Sequence, residues 1–163
     1  MQKVFFACVW GSLLTMVGCA PKKMMPDGDL IGISYIQNAM MATNEYEGHV
    51  EQDSMGTFVL SAMKENYGPL FEKRIDAVAM KKFRQIIEEE RMYAYKESYQ
   101  PRVQVYDGTM WHFSAVFSDG TSISSNGTNA SPSGNGLARI TELMMQLVED
   151  GVQKADAPQE QSN

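Results

Sequence analysis

The clearest alternation in the chain lies between Met110 and Ser118, where Trp111, Phe113, Ala115 and Phe117 interleave with His112, Ser114, Val116 and Ser118. A period of two marks a half-buried strand, and the aromatic side is its core side. Asp119-Gly120 and a second strand, Thr121 to Asn126, follow. An Asp-Gly pair between strands reads as a hairpin turn, because these residues tolerate positive φ. A two-residue loop would put Ile123 on the Val116 face. Either a bulge shifts the register by one residue, or both faces of the hairpin are partly covered. After a Gly/Ser/Asn-rich loop from Asn126 to Gly136, Leu137, Ile140, Leu143/Met144 and Leu147/Val148 recur at helical spacing. They predict an amphipathic helix from about Gly136 to Asp150.

Upstream, Leu30 to Gln37 is a strand of mixed character, Asn44 to Gln52 a weaker acidic one, and Thr57 to Lys64 a third. Asn66-Tyr67-Gly68-Pro69 breaks the run. Asp76 is the expected N-cap of a helix from Ile75 to about Met92, whose inner positions include Val78/Ala79, Phe83 and Ile86/Ile87. Glu88-Glu89-Glu90-Arg91 reads as a solvated helix end, because adjacent helical side chains diverge by about 100°. Met92 to Tyr106 reads as extended, with Pro101 confining its strand to a sheet edge. Residues beyond Gly151 are polar and unpatterned, so a frayed tail is expected there. The expected fold is α+β: a mostly antiparallel sheet of about five strands with two helices packed on one face, in the order β-β-β-α-(β)-β-β-α.

A chain of 163 residues has room for one modest core. Its net charge of −6 argues against a nucleic-acid partner, which would need a basic patch. Of thirteen methionines, four fall in the first 25 residues; the other nine are scattered and suit adaptable core filling better than a copper site. Both cysteines, Cys8 and Cys19, fall in the first twenty residues, so the folded part has no disulfide and no thiolate metal site.

Lys3 followed by the mainly apolar run Val4 to Val17 fits a secretory signal. Met16-Val17-Gly18-Cys19 resembles the lipobox of bacterial lipoproteins, with Met16 where Leu is usual. The resemblance implies that Cys19 becomes the first mature residue and carries acyl chains that hold the protein to a membrane. A non-cleaved anchor is the alternative, although Gly11, Ser12, Thr15 and Gly18 make a poor span. Residues 1–18 are then the signal peptide, 19–29 the lipidated cysteine and a flexible linker, 30–150 the domain and 151–163 the tail. Ala20, in place of Asp, resembles the outer-membrane sorting class. The acidic cluster that resembles a surface-export signal in Bacteroidetes is absent, so the expected location is the outer membrane facing the periplasm. Asp53-Ser54-Met55 resembles the short O-glycosylation motif of exported Bacteroidetes proteins. From Trp111 through Asn126-Gly127-x-Asn129-Ala130-x-Pro132 to the last helix, the order of elements resembles a domain of uncharacterised bacterial lipoproteins. That likeness implies a small sheet-and-helix domain and transfers no functional residue.

No catalytic constellation assembles from the sequence. His49 and His112 are the two histidines, and HExxH, CxxC and EF-hand spacings are missing, so no metal or cofactor is expected. The loop before the last helix lacks the P-loop lysine and reads as a capping loop, with an anion cradle as the alternative. Tyr93, Tyr95, Tyr99, Tyr106 and Trp111 are candidate groove-lining residues; the same tyrosines could simply cover the sheet with hydroxyls at its rim. The expected function is a non-enzymatic envelope binding or scaffolding module with an envelope protein or glycan partner. The alternative is a hydrolase or carbohydrate-processing accessory using carboxylates such as Asp107 and Asp119.

Overall fold

The computed structural model describes residues 23–39, 45–103 and 108–154. Among these, eight strands form one sheet: β1 Leu30–Ala39, β2 Tyr46–Gln52, β3 Phe58–Met63, β4 Leu70–Ile75, β5 Ser98–Tyr99, β6 Thr109–Phe117, β7 Ser122–Thr128 and β8 Val152–Gln153. Their spatial order is β5-β7-β6-β1-β2-β3-β4-β8. Helix α1 spans Ala77–Glu89 and α2 spans Gly136–Val148. The α+β architecture is as expected, but the sheet is larger than five strands, and the β5–β7 pair is parallel.

The main hairpin resolves in favour of a bulge. Phe117 N–H donates to the Thr121 carbonyl at 3.0 Å, so the loop is Ser118-Asp119-Gly120, with Gly120 at φ +82°. A three-residue turn ending in left-handed glycine shifts the register by one. Ala115 therefore pairs with Ile123, and Phe113 with Ser125.

One face of the sheet carries the core. Trp111, Phe113, Ala115 and Phe117 of β6 lie beside Ile33 and Tyr35 of β1, Val50 of β2, and Leu60 and Ala62 of β3. Both helices pack here. Helix α1 presents Ala79, Met80, Phe83, Ile86 and Ile87, and α2 presents Gly136, Ile140, Met144 and Val148. Asp76 caps α1 as expected, accepting the Ala79 N–H at 2.9 Å. Each fully buried side chain of this size contributes about 1.5–3 kcal/mol. Gly48 lets α2 approach β2 closely, since a Cβ there would lie 2.6 Å from Met144 Sδ.

Four expectations change. Leu70–Ile75 is a strand that the charged run Glu72-Lys73-Arg74 conceals; Lys73 lies on the core side and reaches out to pair with Asp150. In the expected tail, Val152 and Gln153 pair with Glu72 and Phe71, because β4 would otherwise leave an open edge. Met92–Ala94 is a 3-10 turn that follows Arg91 in the left-handed region, so Met92 to Tyr99 is only briefly a strand. The last part of the expected linker runs along the domain. Lys23 Nζ donates to the Tyr95 carbonyl at 2.7 Å, Arg84 donates to the carbonyls of Pro26 and Gly28, and Gly28 N–H donates to Asp119 at 2.9 Å.

Candidate functional site

Three of the five candidate groove residues meet, but in the interior. Tyr99 packs edge-on against Tyr95 at 6.4 Å between ring centres and lies 5.8 Å from Trp111. Tyr95 is 7% exposed and Trp111 5%, and the indole N–H donates to the Ala130 carbonyl at 2.8 Å. These rings fill space under β6 and β7, where the chain turns from the 3-10 segment into β5, and do not line a ligand groove. The Tyr95 hydroxyl is buried without a partner among the described residues, so it is not at the rim either. Burial pushes its pKa up to about 12. Tyr93 faces a separate cleft shared with residues 23–27 and β7. Tyr106, Asp107 and Cys19 lie outside the described residues.

Asp119 is occupied by its turn. Its carboxylate accepts from Thr121 Oγ1 at 2.6 Å, Thr121 N at 2.9 Å and Gly28 N, which together hold it below the usual carboxylate range. Such bonding leaves a spent acceptor, not a general acid.

The acidic run at the end of α1 also departs from expectation. Arg139 of α2 donates to Glu89 at 2.8 Å and to Glu90 at 2.9 Å. The two carboxylates converge because Glu90 is the C-cap, with φ −85° and ψ 1°, and has left helical spacing. Arg139 holds both carboxyls below their ordinary values. Glu90 also accepts the Asn135 N–H at 3.3 Å, so the start of α2 already has a protein carboxylate against its positive end. The anion-cradle alternative loses its vacancy.

The face of the sheet away from the helices is mixed, with Met110 and Val116 exposed among polar side chains. Register places Ser124, Ser114, Ser34, His49, Ser61 and Glu72 in one row across six strands. Ser61 donates to Glu72 at 3.2 Å. The Lys154 ammonium, with Ser61 adding to it, keeps Glu72 below the usual carboxylate range. His112 is exposed on the same face, opposite Asn126. Among the described residues, no group of three or more His, Cys, Asp or Glu could hold a metal ion.

A groove of about 950 Å³ lies between α2 and the sheet. Leu137, Thr141 and Met145 supply one wall, Pro132 an end, and Tyr35 and Gln37 the floor. Tyr35 Oη donates to Gln37 Oε1 at 2.7 Å, and burial raises the hydroxyl to about 12, so it stays neutral. Lys64 stands at the far end with its ammonium 3.7 Å from the centre of the Phe71 ring. Glu142 and Glu149 are exposed at the rim. A groove with an apolar wall, a few fixed polar groups and charged ends can seat an amphipathic segment. Sequence reasoning missed these residues. The available signal was Leu137/Thr141/Met145, a half-apolar i, i+4, i+8 row beside the main stripe of α2.

Comparison with family models, curated proteins and solved structures finds no match to this chain.

Proposed function

We propose that the protein is a lipid-anchored cell-envelope module that binds an extended or helical segment of another envelope protein in the α2 groove, without covalent chemistry. Support comes from the lining of that groove. Leu137, Met145 and Pro132 give an apolar seat, while Gln37, Lys64 and Glu142 are spaced along it to fix register. A peptide suits this better than a glycan, since the groove's aromatic residue, Tyr35, is 5% exposed and offers no open ring face for a sugar. The lipobox-like segment ending at Cys19 supplies the anchor, and acyl chains hold the domain where such partners lie.

A photo-crosslinking amino acid in place of Met145 tests the groove in living cells. A discrete adduct is expected from position 145, absent when the crosslinker replaces the exposed Val78 on the outer side of α1, and lost when Leu137→Arg is added. Equal adducts from both positions, or none from 145, would refute the groove as the binding site.

A further inference from the structure

We infer that the domain stands on the bilayer in one orientation, with the outer side of β7 and β5 against the lipid headgroups and the β4–β8 edge pointing away. This rests on the proposed acylation of Cys19.

The reason is the length of chain between lipid and folded body. Lys23 is fixed by its bond to the Tyr95 carbonyl. From there, residues 23–29 stay on the domain: Met25 packs against the core, Arg84 holds the carbonyls of Pro26 and Gly28, and Asp29 exchanges bonds with Ser118 at 2.8 and 2.9 Å. Only residues 20–22 separate the acylated cysteine from this docked segment. Four residue steps span at most about 14 Å when fully extended. A domain of roughly 130 residues has a radius of gyration near 14 Å, hence a diameter of about 36 Å. A leash much shorter than the body it holds cannot let that body roll over.

The attachment point lies at one side of the sheet. Lys23 to Asp27 flank Ser122 to Ser124 of β7, and β7 and β5 are the first two strands in the sheet order. The β8 edge is seven strand spacings from β5, about 34 Å at the usual separation. With Lys23 within reach of the headgroups, that far edge is carried well beyond the interface. Met24, 81% exposed at the foot of the domain, is an apolar side chain where the headgroups begin. Lys23 is accompanied there by Asp27, Glu97 and Asp119, which outnumber it, so the leash, not attraction to anionic lipid, sets the orientation.

Depth-dependent quenching tests this with the native, full-length chain purified from membranes and reconstituted in phosphatidylethanolamine/phosphatidylglycerol vesicles carrying headgroup nitroxides. Ser122→Cys and Arg74→Cys each add one thiol to label, both at exposed positions. The fluorophore at 122 should be quenched several-fold more than that at 74. A Gly/Ser insertion of about 20 residues after Ala20 should keep the chain on the vesicles and remove the difference, since such a coil spans about 25 Å. Equal quenching at 122 and 74 in a chain that floats with the vesicles would overturn the orientation while leaving acylation standing. Failure to float would overturn both.

Discussion

Gly127 shows how a single position governs the aromatic packing beneath β6 and β7. A Cβ there would sit 2.4 Å from both the Ala130 carbonyl oxygen and Trp111 Nε1, the two partners of one hydrogen bond. Neither an indole wedged under β7 nor a backbone carbonyl can move far. At Gly48 the nearest atoms are the Met144 sulfur and the Tyr46 hydroxyl, tips of side chains that can swing. Gly127→Ala is therefore expected to cost about 2–3 kcal/mol and Gly48→Ala about 1 kcal/mol, at opposite ends of the overpacking range. Urea denaturation of the two variants checks the ranking, and equal midpoints would count against it. At this scale the sequence was half legible. The alternation in β6 places Trp111 on the core side, but nothing near Tyr95 or Tyr99 says that they stack on it from a different segment. That contact depends on the left-handed Arg91, a conformation that non-glycine side chains rarely announce.

The two helices illustrate what periodicity can and cannot convey. Their apolar rows and the Asp76 cap are local properties, so α1 and α2 are readable from spacing alone. What joins them is not, because Arg139 meets Glu89 and Glu90 only after α1 has ended and the chain has returned through β6 and β7. The same holds for β4 and β8. A strand whose centre is Glu72-Lys73-Arg74 and a two-residue strand carry no alternation, and are defined by the partner that pairs with them. Glu72, Glu89, Glu90, Asp119 and Asp150 all have folded-state pKa values below their ordinary ones. A depressed carboxyl adds stability that is fully present above the unfolded value of about 4 and is lost as the pH falls through the folded value. Stability should thus be level from neutrality to about pH 5 and decline on further acidification. Arg139→Gln should flatten part of that decline by freeing Glu89 and Glu90. Denaturation midpoints between neutral pH and pH 3 measure it, and an unchanged slope in the variant would show that the cross-helix pairs contribute nothing.

For the molecule as a whole, the fold class was legible because one face of the long central strands and of both helices is apolar, which favours a sheet with helices on one side. The strand count was not, since edges are set by long-range pairing. The candidate site moved for a related reason: aromatic density along the chain marks packing as readily as binding, and the groove arises where α2 crosses the sheet. The proposed placement at a membrane rests on Cys19, outside the described residues, and the proposed orientation on the docked segment that begins at Lys23. The proposed orientation on the bilayer and the proposed access of a partner to the groove both depend on that attachment. Intact-mass measurement of the full-length chain extracted from cells tests it most directly. The predicted product begins at Cys19, carries the added mass of acyl chains and partitions with membranes, while Cys19→Ala does not. A water-soluble product with an unmodified amino terminus at Met1 would contradict it.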